Sequence, residues 1–91
     1  MSVINVRIVI KKKPAVLDVE GKTILKSLNE LNFDEVVDCK KGSVIDIAIS
    51  KQVLTNKYGS DVEVGIKNFV IEACKKLLVN EIIDGYEYTI I

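Results

Sequence analysis

Few side chains in this 91-residue chain could take part in chemistry, and histidine is absent. Histidine is the commonest general base and a frequent metal ligand, so a Ser–His or Cys–His nucleophile pair within the chain is excluded. The two cysteines, Cys39 and Cys74, lie far apart in the sequence and lack CxxC spacing. Such cysteines are most simply small buried hydrophobic residues, with a disulfide or a metal pair as the alternative.

The acidic residues closest to a catalytic pattern are Glu35, Asp38 and Asp46, which lie on or near one predicted hairpin. None has a fixed partner in the pattern, so they are typical of solvated charges rather than of an acid–base pair. The run of lysines at 11–13 is most simply the solvated end of a strand, and an anion-binding patch is the alternative. We therefore expect no catalytic residue, no metal ligand and no cofactor bound by this chain.

Composition limits the partners of the chain. Thirteen basic and thirteen acidic residues cancel, which argues against nucleic acid, because that binding needs several cations on one face. No stretch approaches the roughly 18 apolar residues of a membrane span. The N-terminal pattern lacks the basic region and apolar run of a secretory signal, so we expect a cytoplasmic protein with neither nucleic acid nor membrane as a partner.

Helical spacing and capping residues predict two helices within a single domain, 1–91. Asp18 is placed to cap the first helix, and Asn32 ends it. Ser60 and Glu63 have the spacing of a capping box for the second helix, and Asn80 ends that helix. The predicted buried stripe of the second helix consists of Val62, Ile66, Phe69, Val70, Ala73 and Leu77.

Alternation of apolar and polar residues predicts four strands, so the order is β-α-β-β-α-β. Gly42 supplies a tight hairpin between the second and third strands. The polar run 51–60 is predicted to be a loop, and Asp84-Gly85 to form the turn into the last strand. This order is that of a ferredoxin-like α+β two-layer sandwich, in which two helices cover one face of a four-stranded antiparallel sheet. The strands are predicted over 3–10, 33–40, 43–50 and 86–91.

The sheet face that the helices would leave open is more apolar than a solvated face needs to be. Exposed apolar patches larger than a few hundred Å² usually mark a contact. We therefore predict a homo-oligomer built through this face, with ordinary scattered surface hydrophobes as the alternative. The apolar residues assigned to this face are Val3, Val9, Val36, Val44 and Ala48.

Three runs resemble segments of a known family in their order and spacing. The run VLDVEGKTILKSL (16–28) resembles the family's start of the first helix, FDEVVDCKKG (33–42) its hairpin, and CKKLLVNEIIDGYEY (74–88) its ending. The family is the PurS subunit of phosphoribosylformylglycinamidine (FGAM) synthase, and the resemblance covers nearly the whole chain. The sequence departs from the family with Val19 where a proline is usual, with Lys40 in place of the usual arginine, and with a longer loop before the second helix.

The resemblance implies a role in purine biosynthesis, as a non-catalytic subunit of a ligase complex. That complex converts formylglycinamide ribonucleotide to formylglycinamidine ribonucleotide with ATP and glutamine. A large synthetase subunit binds ATP, magnesium and the ribonucleotide, and a glutaminase subunit releases ammonia. The PurS-type subunit associates with itself, as a dimer or tetramer, and helps to bring the other two subunits together so that ammonia passes between their sites.

Six residues are candidates for contacts with these partners. Lys76 either contacts a partner or only favours the helix C-terminus by its charge, and Asn80 either caps that helix or binds a partner. Tyr86 and Tyr88 share one face of the last strand, where a ring with a polar tip suits an interface as well as it suits the cover of the second helix. The full set is Lys40, Gly42, Lys76, Asn80, Tyr86 and Tyr88.

Three other classes of function compete with the hypothesis of a non-catalytic complex subunit. An oligomeric, metabolite-sensing regulatory domain of ferredoxin-like fold would need a Gly-rich or charged pocket at a helix start, for which Asp18 and Gly21 give thin support. An RNA-binding sheet would need paired aromatics on central strands and positive charge, which the sequence lacks. A free-standing enzyme would need the missing catalytic groups. The fold alone does not separate these classes.

Overall fold

The computed structural model describes residues 2–91, in which three antiparallel strands form one sheet. The central strand, β1 (Val3–Lys12), lies between β2 (Gly42–Ser50) and β3 (Asp84–Ile90). The more buried side chains of β1 recur at every second residue, because alternate side chains of a strand point to opposite faces and only one face of this sheet carries the core.

Three α-helices begin where the sequence supplies caps. α1 spans Val19–Glu30, α2 spans Lys51–Tyr58, and α3 spans Val62–Ala73 and continues into a π-helical turn, Cys74–Leu78. Each cap side chain accepts a hydrogen bond from the backbone N–H three residues further on, which satisfies a donor that has no partner within the helix. The capping residues are Asp18, Ser50 and Asp61. No helix of residues 2–91 is long and apolar enough to cross a membrane.

The core lies between one face of the sheet and the helices α2 and α3. Ile8 of β1 lies opposite Ile45 of β2 and Tyr88 of β3, and residues directly opposite each other share a face. Short apolar side chains from α2, α3 and the π-helical turn close over this face. The buried apolar residues are Val6, Ile8, Ile10, Ile49, Leu54, Ile66, Val70, Cys74 and Val79.

α1 departs from this compact packing. It makes few contacts with the other described elements, and the molecule measures 53 × 26 × 15 Å. Its radius of gyration is 17.2 Å, whereas a compact chain of this length has about 12 Å. We call residues 13–41 the arm. It consists of α1 and the two segments that connect α1 to the end of β1 and to the start of β2.

Asn32 ends α1 with a residue in the left-handed region, at φ 71°. The Asn32 N–H donates to the carbonyl of Asn29, and the Phe33 N–H donates to the carbonyl of Leu28. This pair of bonds is the Schellman cap, and asparagine tolerates the left-handed conformation better than most residues. The predicted end of the first helix is therefore confirmed, as is the predicted cap at Asp18.

The prediction of a four-stranded sheet covered by two helices is wrong. The sheet has three strands, and residues 33–40, expected to form a fourth, lie in the arm without strand pairing. Gly42 does not turn a hairpin but begins β2 opposite Lys11. The chain enters β2 directly from the arm, so residues 33–41 lie in the arm and do not form a strand beside β2.

The run 51–60, predicted to be a loop, contains α2. Ser50 caps this helix, and Leu54 anchors it in the core at 3% exposure. The helix is short and mostly polar, so its apolar spacing is a weak signal. The pair Leu54 and Tyr58, four residues apart on one helical face, is the pattern that could have revealed it.

The ends of α3 also differ from expectation. Asp61, and not Ser60, caps the helix, since its carboxylate accepts the hydrogen bond from the Val64 N–H. Leu77, predicted to lie in the core, is 83% exposed. The π-helical turn has more residues per turn than an α-helix, and this shifts the helical phase after Cys74. The next buried apolar residue is therefore Val79, and Leu77 faces solvent.

Candidate functional site

The arm carries six of the sixteen exposed large apolar side chains among residues 2–91, and its helix packs little against the rest of the described fold. Val37 is 87% exposed and Leu31 is 68% exposed. Exposed apolar surface of this kind usually marks a contact with another chain, so the arm is the leading candidate for an interaction surface. Its exposed large hydrophobic residues are Leu17, Val19, Ile24, Leu31, Phe33 and Val37.

Asp18 joins the two ends of the arm. One of its carboxylate oxygens accepts the Gly21 N–H at 2.9 Å, and the other accepts the Lys41 N–H at 2.8 Å. The residue is only 5% exposed. The two backbone N–H groups, helped by the charges of Lys40 and Lys12, hold the pKa of Asp18 below its ordinary value. The carboxylate is therefore ionised and fully partnered at neutral pH.

Gly21 allows the two ends of the arm to approach each other closely. A Cβ at this position would lie 2.3 Å from the carbonyl oxygen of Cys39 and 2.7 Å from a carboxylate oxygen of Asp18. Both distances are far shorter than an ordinary van der Waals contact. The first turn of α1 thus lies directly against the segment that returns to β2, and only glycine fits between them.

A cleft of about 550 Å³ opens between the base of the arm and the end of the sheet. Two of its lysines are paired with carboxylates: Lys12 lies 3.3 Å from Asp84, and Lys41 lies 3.1 Å from Glu20. These pairs neutralise positive charge that an anion would otherwise use. Within the run 11–13, Lys12 is thus paired with a carboxylate, and the Lys13 ammonium donates to the carbonyl of Glu81, which leaves less positive charge for an anion-binding patch.

The helices leave part of their own face of the sheet uncovered. Tyr86 and Tyr88 share this face, as predicted, because they lie opposite Ile10 and Ile8. Tyr86 packs against the core, but Tyr88 is 37% exposed and Ile90 is 49% exposed. In a closed two-layer fold α1 would cover this region, whereas here α1 lies in the arm.

The opposite face of the sheet is mixed. Val3 is 53% exposed and Val44 is 60% exposed, but Arg7 donates two hydrogen bonds to Asp46, at 2.8 and 3.1 Å, between them. The Arg7 guanidinium holds the pKa of Asp46 below its ordinary value. Val36, which we assigned to this face, lies in the arm. Self-association through this face stays a prediction.

Two of the predicted contact residues lie at or after the π-helical turn. Lys76 donates to Glu72 at 2.6 Å, and Glu72 also accepts the hydroxyl of Tyr58 at 2.8 Å, so this cluster ties α2 to α3. Both donors lower the pKa of Glu72. Asn80 lies beyond the helix, where its backbone N–H donates to the Asp84 carboxylate at 3.2 Å. Asp84, expected in a turn, begins β3.

The other two predicted contact residues, Lys40 and Gly42, lie where the arm returns to the sheet. Lys40 is exposed. A Cβ on Gly42 would lie 2.3 Å from the carbonyl oxygen of Ile10, so this glycine permits a close approach of β2 to β1. Structure thus places the six candidates in three separate regions: the arm base, the end of α3 and the last strand.

The cysteines carry free thiols, with Cys74 fully buried and Cys39 half-buried. Burial raises the pKa of the Cys74 thiol, so it acts as a small hydrophobic residue of the core. Within residues 2–91, no group of three or more His, Cys, Asp or Glu side chains is placed to hold a metal ion.

The fold and its surfaces define a small α+β protein whose main surface feature is an apolar arm that suits contact with other chains. The sequence profile of the family described as PurS, phosphoribosylformylglycinamidine (FGAM) synthase, matches residues 5–91. The chain therefore belongs to the PurS family, the small subunits of FGAM synthase in purine biosynthesis. The family resemblance of the three sequence runs is confirmed, and the metabolite-sensing alternative is not favoured.

Individual relatives agree in sequence and in fold. The chain is 38% identical to the FGAM synthase subunit PurS of Methanocaldococcus jannaschii over 80 residues, which cover 88% of this chain and 86% of the relative. The crystal structure of M. jannaschii PurS superposes with a TM-score of 0.75 and 35% identity, over 97% of this chain and 95% of that one. A chain in a structure described as PurLQS from Thermotoga maritima matches over the full length of both chains, with a TM-score of 0.78 and 23% identity, and so shares the fold.

Proposed function

We propose that this chain is a non-catalytic subunit of FGAM synthase that helps to bring the large synthetase subunit and the glutaminase subunit together. The observation that carries the proposal is the family match over residues 5–91. The M. jannaschii PurS, which is similar over most of this chain, is described as one of the subunits of formylglycinamide ribonucleotide amidotransferase. The shared fold with a chain of the T. maritima PurLQS structure supports a place in a multi-subunit assembly.

In this proposal the chemistry belongs to the partner subunits. They use ATP, magnesium and glutamine, and this chain binds none of the three. The support lies in the residues: the sequence has no histidine, the Cys74 thiol is buried, and the carboxylate of Asp18 is held by two backbone N–H groups. The role of the chain is then to position the partners so that ammonia passes from the glutaminase to the synthetase.

Self-association through the arm is the second part of the proposal, with a dimer as the basic unit. The arm has exposed apolar side chains, such as Leu31 and Val37, while the helix side of the sheet leaves Tyr88 and Ile90 partly uncovered. Both surfaces occur on every copy of the chain, so two copies can cover each other's exposed regions. In this arrangement α1 of one copy packs over the uncovered part of its partner's sheet, and a tetramer forms when two such dimers associate.

A reconstitution experiment tests the assembly role. The purified chain is mixed with the large synthetase subunit and the glutaminase subunit, and formylglycinamidine ribonucleotide is measured with ATP, magnesium and formylglycinamide ribonucleotide. We expect omission of the chain to abolish most glutamine-dependent product formation and to prevent co-elution of the other two subunits. If both remain unchanged without this chain, the assignment fails.

Ammonium chloride in place of glutamine supplies a matched control. Free ammonia reaches the synthetase without transfer from the glutaminase, so we expect omission of the chain to affect this reaction much less. Equal loss with glutamine and with ammonium would contradict the role in assembly, because it would mean that the chain acts on the synthetase site itself.

Charge reversal tests where the partners bind. Lys40 is exposed at the base of the arm, and Lys76 is exposed at the end of α3. If these regions contact different subunits, Lys40→Glu and Lys76→Glu should each weaken co-elution with one partner and leave the other unchanged. Normal co-elution of both variants with both partners would remove these two residues from the predicted contact set.

A further inference from the structure

The direction of the arm depends on contacts at its base, because α1 makes few contacts elsewhere in the described chain. Lys13 ties the start of the arm to the segment before β3, where its N–H donates to the Ile83 carbonyl at 2.8 Å, and two further contacts join the start of α1 to the returning segment. The Glu20–Lys41 ion pair is exposed, with side chains 71% and 54% accessible, and exposed ion pairs contribute little to the stability of a fold. The Asp18 carboxylate is buried and bonds two backbone N–H groups, so it is the stronger of the two connections.

The two N–H groups belong to opposite ends of the arm. Gly21 lies in the first turn of α1, and Lys41 is the last residue before β2. A helix cap needs only the bond to Gly21. The bond to Lys41, 23 residues away, does nothing for the helix itself, but it joins the start of α1 to the returning segment.

We propose that Asp18 is a positioning residue that latches the base of the arm and thereby sets the direction of α1 relative to the sheet. Gly21 contributes to this latch, because the bond from the Lys41 N–H to Asp18 forms only when the first turn of α1 lies directly against the Cys39 carbonyl. The latch itself is a property of the single chain. Its consequence for self-association rests on the proposed function, because the arm is then the dimer contact.

Two substitutions separate the latch from the helix cap. Asn and Ser cap helices about as well as Asp does, but asparagine has one acceptor oxygen where aspartate has two. Asp18→Asn can therefore keep one of the two backbone bonds and not both. Asp18→Ser has a shorter side chain that serves the cap and does not reach the second N–H. Both variants should keep α1 helical by circular dichroism.

Hydrogen exchange of single amides, followed by NMR, is the first readout. With Asp18→Ser we expect the Lys41 amide to exchange about 10-fold to 100-fold faster, as loss of a bond to a charged acceptor predicts, while the Gly21 amide changes by less than about threefold. Glu20→Gln is the matched control, because it removes only the exposed ion pair at the same place. It should leave the Lys41 amide unchanged.

The direction of the arm is the second readout. Spin labels on Lys26 of α1 and Thr89 of β3, both exposed, report the distance between the arm and the sheet in a Cys39→Ser background. Labelled chain diluted with unlabelled chain gives the distance within one copy. We expect one narrow distance distribution for the otherwise natural chain and for Glu20→Gln, and a broad one for both Asp18 variants.

An unchanged Lys41 exchange rate and an unchanged distance distribution in both Asp18 variants would overturn the latch. That result is separable from a failure of the proposed function, since neither readout needs a partner subunit or an assay of product. If the latch is confirmed and the reconstituted complex is nevertheless indifferent to Asp18→Ser, the proposed use of the arm is wrong and the latch stands.

Discussion

Replacing the two most exposed apolar residues of the arm should weaken self-association without harming the fold. Leu31 and Val37 are 68% and 87% exposed, and neither belongs to the buried core. Exchange of both for serine therefore removes apolar surface that only another chain can cover. At a concentration low enough for both proteins to be monomeric, we expect the melting temperature of the double variant to stay within a few degrees of that of the unchanged chain, because exposed substitutions usually alter stability by less than about 0.5 kcal/mol.

The size of the effect follows from the exposed fractions. Complete burial of a leucine or valine side chain is worth about 1.5 to 3 kcal/mol, so covering these two recovers about 1 to 2.5 kcal/mol each. In a symmetric dimer every contact occurs twice, which doubles the effect. Even if the partner covers only half of this surface, the variant loses about 2 kcal/mol, and its dissociation constant rises about 30-fold or more.

Sedimentation velocity over a range of concentrations measures this change directly. A matched control exists on the other side of the sheet, where Val3 and Val44 are 53% and 60% exposed. Their double exchange for serine removes a comparable apolar area from the face that the sequence suggested as the contact. If the arm is the dimer contact, this control should associate like the unchanged chain. Dissociation of the Val3/Val44 variant, with normal association of the Leu31/Val37 variant, would refute the arm as the dimer contact and would support the contact through the open face of the sheet.

Three further predictions concern single positions. Gly21→Ala should disrupt the base of the arm, because its Cβ would lie 2.3 Å from a backbone carbonyl oxygen, although alanine favours a helix by about 1 kcal/mol. The control Gly65→Ala places a Cβ 3.3 Å from a flexible leucine side chain and should shift the melting temperature by less than about 5 °C. Circular dichroism on heating compares the two variants. Tyr58→Phe removes the hydroxyl donated to Glu72 and should lower the melting temperature in calorimetry by roughly 2 to 8 °C, whereas an unchanged value would mean that this bond does not hold α2. The folded-state pKa of Asp18 is depressed, so its stabilisation of the arm is present above the ordinary aspartate pKa near 4 and is lost as pH falls through the depressed pKa. Amide protection in the arm should show this acid transition, and Asp18→Asn should lack it.

Features with local causes could be predicted from the sequence. The cap at Asp18 depends on an N–H three residues away, and the end of α1 depends on the readiness of Asn32 to adopt positive φ. The strand β1 follows from alternation within ten residues. The shared face of Tyr86 and Tyr88 needs no more than the two-residue period of a strand.

Features that depend on distant contacts escaped that reasoning. Alternation over 33–40 specifies a strand-like segment but not the strand that it pairs with, so the predicted fourth strand proved wrong. The exposure of Leu77 follows from a π-helical turn, and apolar spacing assumes regular helical phase. The bond from Lys41 to Asp18 spans 23 residues, and no local pattern marks the backbone N–H that makes it.

By itself the sequence determined the cap of α1 at Asp18 and its end at Asn32, the strand β1, the lack of a histidine-based catalytic site and the family to which the chain belongs. These rest on residue identity and on spacing over a few positions. Only the tertiary structure decided that the sheet has three strands and that α1 stands out in an arm. That outcome is set at one place, where a buried carboxylate and a glycine join two segments far apart in the chain, and long-range contacts of this kind are not encoded in local periodicity.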